Sequence, residues 1–288
     1  MYYSKNLEIH VVDHCNLGCV GCSHESPLMP KRFEDPDRLA RSLSELWKWY
    51  YAPLVKLLGG EPLLHPGIQQ IISTTKTRTR ARLRIVTNGV LLKREFRHLL
   101  GVDEIHISSY PATSIPCDDD LRSIAAELAV PITIQVFHHF RWHRSPPQED
   151  GKLTERIFAT CQLYHTWQCH TLRDGWFYPC PTAATWGSRN KEGADLLAAG
   201  LDHKAEIARL LCSQVPLASC KRCLGSVGQR FEHRLCQRGY EHGLLPRSDP
   251  DFGFLTFLEL DAAAHNGCFA YDRRILPSGH VLQCSDGS

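Results

Sequence analysis

The feature that most constrains the fold is a series of five short apolar runs that alternate with helical stretches over residues 1–140. The runs are short and rich in β-branched residues, which is typical of buried strands. They lie at residues 7–12, 54–60, 83–89, 103–110 and 131–137. The intervening helix-forming stretches lie at residues 35–51, 65–76, 91–101 and 118–129. Strands that alternate with helices predict a parallel sheet of βα units, and therefore the α/β class.

Each chemically distinctive motif follows one of these predicted strands. Residues 15–22 (CNLGCVGC) follow the first, residues 59–62 (GGEP) the second, residues 87–89 (TNG) the third and residues 108–110 (SSY) the fourth. In barrels of βα units, binding and catalytic groups collect at the C-terminal ends of the strands. The sequence therefore predicts one functional site at this end of the sheet.

Composition excludes several classes of function. The net charge of +2 gives no electrostatic case for binding nucleic acid, and no apolar window is long enough to span a membrane. The N-terminus has no secretory signal, so we expect a cytoplasmic protein. Thirteen cysteines in a reducing compartment are more often metal ligands, catalytic groups or buried apolar residues than disulfides.

Three of these thiols are close together, with three residues between Cys15 and Cys19 and two between Cys19 and Cys22. Three thiolates in one loop can hold a metal centre, but they leave one iron of a four-iron cluster without a protein ligand. An open position of this kind is where substrate or cofactor binds in catalytic metal sites. A zinc loop and three unrelated core cysteines are the alternatives.

This spacing resembles the C-x3-C-x2-C signature of the radical S-adenosylmethionine (SAM) enzymes, and residues 59–62 resemble the GGE motif of that family. The resemblance implies a partial (β/α)6 barrel and a [4Fe-4S] cluster that is coordinated by the three cysteines and by SAM. It also implies an external electron donor such as flavodoxin or ferredoxin. Gly21 departs from the pattern, because the residue before the third cysteine is commonly aromatic in this family.

The same resemblance suggests the SAM-binding residues. The backbone of the GGE motif would hold the methionyl amine, and hydroxyl and amide groups at later strand ends suit the ribose and carboxylate. The expected cofactor-binding residues are Gly59, Gly60, Glu61, Thr87, Asn88, Ser108, Ser109 and Gln135.

The second half of the chain is cysteine-dense and follows a proline-rich polar break at residues 141–152. We expect a barrel over residues 1–150 and a subdomain over residues 151–288. Thirteen residues separate Cys161 from Gly175, four more precede Cys180, and Cys220 and Cys223 form a later CxxC pair. This pattern resembles the extension called SPASM, or its shorter form, twitch, and implies an auxiliary [4Fe-4S] cluster.

Several alternatives stay open in this half. The same four cysteines satisfy a zinc site equally well. Cys169 or Cys212 could replace one of the four ligands. A second auxiliary site could use Cys236, Cys268 and Cys284.

Candidate catalytic groups lie just after the fifth strand. His138, His139 and Arg141 could fix a hydroxylated or anionic substrate and accept a proton as its radical is oxidised. If the radical is instead quenched by a thiol, the outcome is epimerisation, and Cys117 or Cys169 becomes the candidate hydrogen donor.

We therefore expect an enzyme that cleaves SAM and abstracts hydrogen from a small hydroxylated substrate, such as a sugar, aminocyclitol or nucleotide, in specialised metabolism. The outcome would be oxidation, as in the twitch-type dehydrogenase of butirosin-like biosynthesis, or epimerisation or rearrangement. One alternative is radical modification of a ribosomal peptide. SPASM proteins that act on such peptides often carry an extra N-terminal leader-binding domain, and because the predicted barrel begins within about ten residues we expect a small molecule instead. The lesser alternative is a non-enzymatic zinc-binding protein.

Overall fold

The computed structural model describes residues 1–186, 192–236, 249–260, 273–278 and 281–283. Cys268 and Cys284, and with them most of the suggested second auxiliary site, lie outside the described residues. Within these ranges, we find no helix with the length and apolar character needed to cross a membrane.

The described strands, in chain order, are β1 (Tyr2–Tyr3), β2 (Asn6–Val12), β3 (Tyr50–Tyr51), β4 (Leu54–Gly59), β5 (Arg82–Thr87), β6 (Glu104–Ser109), β7 (Ile132–Val136), β8 (His139–Arg141), β9 (Cys169–Arg173), β10 (Trp176–Tyr178), β11 (Ala194–Asp195), β12 (Arg230–Glu232), β13 (Arg273–Ile275) and β14 (Val281–Gln283). The described α-helices are α1 (Pro36–Leu46), α2 (Ile68–Thr79), α3 (Leu92–Glu95), α4 (Asp118–Leu128), α5 (Gly151–Ala159), α6 (Pro181–Trp186), α7 (His203–Leu211) and α8 (Phe252–Leu260).

The largest sheet runs in the order β11-β10-β9-β2-β4-β5-β6-β7-β13-β14. Its six central strands, from β9 to β7, are parallel, and the strands added at both edges are antiparallel. The predicted α/β class with a parallel sheet is confirmed. Five of the parallel strands follow one another along the first half of the chain. The sixth, β9, comes from the cysteine-rich half and pairs with β2, so the sheet continues across the predicted boundary at residue 150.

The predicted elements are recovered, with two helices shorter than expected. The N-terminus of α1 is capped by the Asp35 side chain, which accepts a hydrogen bond from the Arg38 N–H. The helix ends at Leu46 rather than near residue 51, because Tyr50 and Tyr51 pair with β1. The third helix is α3 followed by a 3₁₀ turn at Phe96–Leu99.

The two faces of the central sheet differ in polarity. Leu7 and Ile9 on β2 are fully buried in the core that also contains the apolar residues of α1 and α2. The alternate positions carry charge, because Glu8 is opposite Lys56, Lys56 is opposite Arg84, and Arg84 is opposite Glu104. Lys56 Nζ lies 3.3 Å from Glu8 Oε1 and Arg84 Nε lies 2.7 Å from Glu104 Oε1. A strand face lined by ion pairs is suited to a polar chamber rather than to a second apolar core.

A tight hairpin connects β9 to β10, as the glycine in the second cysteine pattern predicts. Asp174 and Gly175 form its two-residue turn and have positive φ angles of 55° and 83°. Positive φ at both positions is the requirement of a type I′ turn, for which Asp-Gly is a favoured pair. The turn is held to the first half of the chain, because Arg38 Nη1 lies 2.9 Å from Asp174 Oδ1. The boundary near residue 150 stays a prediction.

Candidate metal centres and cofactor site

The first cysteine loop begins three residues after β2, and backbone hydrogen bonds join this region to the GGE motif. The Gly60 N–H donates to the Val12 carbonyl at 2.7 Å, and the Glu61 N–H donates to the His14 carbonyl at 3.1 Å. A Cβ atom at Gly60 would lie 1.9 Å from the His14 carbonyl oxygen, so only glycine fits here. The two motifs that sequence analysis linked through a family resemblance are therefore in direct contact.

Glu61 is fully buried and holds the two strand ends together. Its Oε1 accepts hydrogen bonds from Thr87 Oγ1 at 2.7 Å and from the Leu63 N–H at 3.0 Å, and its Oε2 accepts one from the Asn88 N–H at 2.8 Å. Burial raises the pKa of this carboxyl to about 6, although these hydrogen bonds oppose the shift. Thr87 Oγ1 also accepts from the Gly89 N–H at 3.1 Å. Both side chains are thus engaged with each other and with backbone N–H groups, and the expected roles of Glu61 and Thr87 in SAM binding stay predictions.

Asn88 connects the hydrogen bonds of the buried Glu61 to the first cysteine. Its Nδ2 donates to Asn16 Oδ1 at 2.7 Å and lies 3.6 Å from the Cys15 sulfur, while its Oδ1 accepts from the Val90 N–H. The Leu17 N–H points at the same sulfur from 3.4 Å. Two N–H groups thus face a thiol whose pKa burial raises to about 12. Such donors stabilise a thiolate that ligates a metal.

The other expected SAM-binding groups lie at neighbouring strand ends. Ser108 and Ser109 close β6, and Gln135 lies opposite Ser108 on β7. All three are partly exposed, so they are accessible to a ligand. Their roles as SAM-binding residues stay predictions.

A segment from the second half, residues 230–236, lies along the first cysteine loop, and we call this segment the strap. The Val20 N–H donates to the Arg234 carbonyl at 3.0 Å, and the Cys236 N–H donates to the Gly18 carbonyl at 2.8 Å. The Cys236 sulfur also lies 3.2 Å from the Gly18 carbonyl oxygen. Nothing in the cysteine spacing indicates this contact, because it depends on the tertiary fold alone.

The strap explains the unexpected glycine before the third cysteine. Gly21 has a φ of +66°, and a Cβ atom there would lie 2.6 Å from the Phe231 ring and 3.1 Å from that of Trp142. These two rings stack on each other with centroids 4.2 Å apart. An aromatic pair from elsewhere in the chain therefore lies against this position, which has room for no side chain of its own.

The third cysteine has a titratable neighbour two residues away. Burial raises the pKa of the Cys22 thiol, but the hydrogen bond and charge of His24, together with backbone hydrogen bonds from Ser26 and His24, outweigh that effect, and the net pKa lies below its ordinary value. The His24 ring also packs edge to face against that of His10, with centroids 4.9 Å apart. His24 is thereby engaged within the loop.

The second set of four cysteines lines one cavity, although the chain supplies them from widely separated positions. Apolar and small polar side chains complete the lining. The lining residues are Ile157, Phe158, Cys161, Leu163, Tyr164, Cys180, Thr182, Ser219, Cys220, Cys223 and Gly225. Cys169 does not line it and is buried beside Glu8, and Cys212 is exposed at the end of α7. The fold thus assembles the four residues that the spacing selected and leaves out the two competitors.

Burial raises the pKa of all four thiols in this cavity. Backbone N–H groups face two of the sulfurs, from Ala183 to Cys180 at 3.4 Å and from Gly225 to Cys223 at 3.2 Å. Four neutral thiols around an apolar cavity become thiolates only when a cationic centre compensates the charge.

The donor atoms of both thiol sets are all sulfur. Sulfur donors are those that hold [4Fe-4S] clusters, so the residues present fit such a group. Four cysteines also fit a structural zinc.

The candidate catalytic residues lie at β8 and just before α4. His138 and His139 are exposed. Arg141 donates through Nη1 to the Gly228 carbonyl at 2.8 Å, and its guanidinium lies over the Phe254 ring. The exposed Cys117 precedes α4, where its thiol donates to Asp120 Oδ2 at 3.3 Å. Their catalytic roles stay predictions, and the contacts of Arg141 are those of a structural residue.

Comparison with known proteins gives a family match in the first half. Residues 9–109 match the model of the radical SAM superfamily. The GTP 3′,8-cyclase of Heliobacterium modesticaldum is 36% identical over an alignment of 112 residues, and the match covers 35% of this chain and 33% of that protein. The GTP 3′,8-cyclase 2 of Mycobacterium tuberculosis is 32% identical over 111 residues, or 36% and 31% of the two chains. The chain thus aligns with about one third of the length of these relatives.

Solved structures extend the likeness beyond the first half. BtrN in complex with AdoMet and 2-DOIA matches with a TM-score of 0.50 at 17% identity, covering 76% of this chain and 92% of that one. AnSMEcpe with bound AdoMet matches with a TM-score of 0.47 at 12% identity, covering 91% and 100%. At such low identity, the BtrN match supports the fold alone.

Proposed function

The chain belongs to the radical SAM superfamily, and on this premise we propose that it is an oxidising enzyme with two [4Fe-4S] clusters and a small hydroxylated substrate. The cluster at Cys15, Cys19 and Cys22 would bind SAM, and the cluster at the second cysteine set would be auxiliary. The observation that carries the proposal is the presence of two separate thiol sets, one with three members and one with four, which differ in their surroundings.

The first loop suits a site with an exchangeable ligand. Cys15 and Cys22 are only partly buried, so the face of a cluster beside them would be accessible. When bound, the cluster and SAM supply the one-electron cleavage of SAM and the hydrogen abstraction that define the superfamily. The protein's part is to orient these groups and to exclude water.

The residues around the loop would perform that orientation. Glu61 fixes the TNG turn against the GGE motif, so that Asn88 faces the Cys15 sulfur. The serines of β6 and Gln135 offer hydrogen-bonding groups on the same edge of the sheet. The stacked rings of Trp142 and Phe231 would supply the aromatic surface that Gly21 cannot.

The polar face of the sheet supports a small polar substrate. Its row of Glu8, Lys56, Arg84 and Glu104 offers charged donors and acceptors below the cysteine loop. His106, on the same face as Glu104, has a pKa that burial lowers to about 4, so it is neutral near pH 7. Hydroxyl groups of a sugar, aminocyclitol or nucleoside are suited to such a mixture of donors and acceptors.

Oxidation is favoured over epimerisation by the positions of the candidate hydrogen donors. Cys117 is exposed and engaged with Asp120. Cys169 lies opposite Asn6 at the start of β2, whereas the cysteine loop follows the end of that strand. The second cysteine set, in contrast, would provide an acceptor for the electron of an oxidised substrate radical. We further propose reduced flavodoxin or ferredoxin as the electron source and, because of the abundant free thiols, a cytoplasmic location.

Anaerobic reconstitution followed by product analysis tests the proposal. We expect about eight irons per chain and broad absorbance near roughly 400 nm, as two [4Fe-4S] clusters require. SAM should be cleaved to methionine and 5′-deoxyadenosine, faster with one class among sugars, aminocyclitols and nucleotides. An oxidised product should accompany turnover, and Cys15→Ala should abolish cleavage. Zinc as the only bound metal would overturn the proposal, and stimulation by peptides alone would replace its substrate class.

A further inference from the structure

One strap residue contacts a predicted cluster ligand directly. His233 Nε2 lies 3.3 Å from the Cys19 sulfur, within hydrogen-bonding range for a thiolate. The side chain is enclosed, since His233 is only 9% exposed. This contact joins a residue of the second half to the middle cysteine of the loop, 214 positions away in sequence.

Aromatic rings fix the orientation of this imidazole. The Tyr110 ring stacks on it with centroids 4.6 Å apart and planes inclined by 17°. The Phe140 ring meets it edge to face at 4.8 Å. The backbone N–H of His233 also donates to the His138 carbonyl at 2.8 Å. A ring held in this way keeps Nε2 directed at the sulfur without relying on the cysteine.

The chemistry of the pair determines which atom carries the proton. A cysteine that binds iron is a thiolate and has no hydrogen to donate, so the hydrogen must lie on His233 Nε2. The other ring nitrogen, Nδ1, is buried and has no hydrogen-bond partner in the structure. The arrangement is therefore an N–H to sulfur hydrogen bond.

Each of the three thiols has a polar side chain beside it, and each of these comes from a different part of the chain. Asn88 at the end of β5 faces Cys15, His24 in the loop itself faces Cys22, and His233 in the strap faces Cys19. Only the last depends on the C-terminal half being folded over the loop. Hydrogen bonds to cluster sulfurs are one of the means by which proteins set reduction potential.

We propose that His233 is a positioning residue that raises the reduction potential of the SAM-binding cluster by donating a hydrogen bond to the Cys19 thiolate. This inference rests on the proposed function. Reduction adds negative charge to the cluster, and a fixed N–H donor stabilises that charge more strongly than it stabilises the oxidised form. The strap thereby makes the reactivity of the first half depend on the second.

The test is a potentiometric titration of the reconstituted holoenzyme, followed by electron paramagnetic resonance. Addition of SAM identifies the signal of the first cluster, because only that cluster has an open iron. We compare the wild type with His233→Phe, which removes the donor, and with His233→Gln, which keeps an N–H group. Leu235→Ala, at a partly exposed strap position, is the matched control.

We expect His233→Phe to lower the ratio of reduced to oxidised first cluster about tenfold at a fixed solution potential, the effect of one charge-assisted hydrogen bond. For a one-electron couple this is a shift of about 59 mV to more negative potential. His233→Gln should restore most of the shift, and Leu235→Ala should not move it. If His233→Phe does not assemble, His233→Met provides the same comparison with a flexible side chain.

A full iron content with an unchanged midpoint in the donor-free variant would overturn the inference. A merely structural role for His233 would change stability in both the phenylalanine and glutamine variants without separating their potentials. These outcomes are distinct from failure of the proposed function, in which the wild type itself would show no cluster that responds to SAM.

Discussion

The two cysteine sets contrast in how the chain builds them and in what surrounds them. The first occupies eight consecutive residues just after β2 and offers three thiols. The second draws four thiols from positions between Cys161 and Cys223 and surrounds a cavity lined by Ile157, Phe158 and Tyr164. Three protein ligands leave one iron of a four-iron cluster open to an exchangeable ligand, whereas four protein ligands leave none open.

The surroundings also differ in chemistry. The thiols of the first loop face polar side chains, such as Asn88 at Cys15 and His233 at Cys19. Of the second set, Cys180 and Cys223 face backbone N–H groups within a largely apolar lining, and Cys223 also lies 3.7 Å from Thr182 Oγ1. Side-chain donors can be adjusted one residue at a time, while backbone donors are fixed by the local fold. We therefore expect the first centre to be the tunable one and the second to be the more robust.

The largest expected effect separates the two sets by single cysteine substitutions. Cys19→Ala should abolish SAM cleavage and leave about four irons per chain, because the second cluster persists. Cys180→Ala should also leave about four irons, yet it should retain SAM binding at the first loop. Iron and sulfide analysis with measurement of 5′-deoxyadenosine distinguishes them. Cys212→Ala, at an exposed position outside the cavity, should keep all the iron. An unaltered iron count in Cys180→Ala would contradict the expectation that Cys180 holds a second cluster.

Chelation should sharpen the contrast in ligand number. Under mild oxidation, a chelator should remove iron in two phases, because an iron without a protein ligand is lost before irons that are each held by a cysteine. SAM should slow the fast phase alone. Time-resolved absorbance of the wild type measures both phases, and Cys19→Ala should lack the fast one. A single phase that SAM does not affect would show that the two centres are equally accessible.

Introducing the aromatic residue that is common in this family before the third cysteine should destabilise this protein. Gly21→Phe would place a side chain where Phe231 and Trp142 already lie, at a backbone position with positive φ. We expect a loss of roughly 3 kcal/mol in the free energy of unfolding from strain and overpacking. Denaturant titration measures it. The double variant Gly21→Phe with Phe231→Ala should recover part of the loss, and the absence of any recovery would refute the role given to the strap.

Glu61 provides a smaller, pH-dependent effect that is specific to the first site. Its pKa in the folded state is raised from 4.5 to about 6 by burial. The stability that this group contributes is fully present below about pH 4.5 and is lost as the pH rises through about 6. The difference in free energy of unfolding between the wild type and Glu61→Gln should therefore shift by about 2 kcal/mol over this range, to the disadvantage of the wild type at higher pH. A difference that does not change with pH would contradict the raised pKa of the buried Glu61 carboxyl.

Much of this architecture was predictable from local sequence. The five strands appear within one or two residues of their predicted bounds, because short apolar runs between helices are a local signal. The contact between the GGE motif and the cysteine loop follows from parallel strands ending at one edge. The Gly175 turn follows from the requirement for positive φ in a tight hairpin.

Other features depend on contacts between distant residues and left no local signal. The strap pairs Leu235 with Cys19, and neither position has a spacing or composition that indicates the other. Thr87 donates its hydroxyl to the buried carboxylate of Glu61, and no local signal in the sequence indicates this contact. His138 and His139 looked catalytic because of their residue type, while exposure is set by the packing of β8 and β12, which sequence alone does not give.

The central claim is that one chain holds an open cluster and a closed one. The most direct test is Mössbauer spectroscopy of protein reconstituted anaerobically with isotopically enriched iron, recorded with and without SAM. We expect the spectrum of two [4Fe-4S] clusters, in which SAM changes one iron site of one cluster and leaves the other cluster unaltered. A single cluster per chain, or two clusters of which neither responds to SAM, would contradict the account.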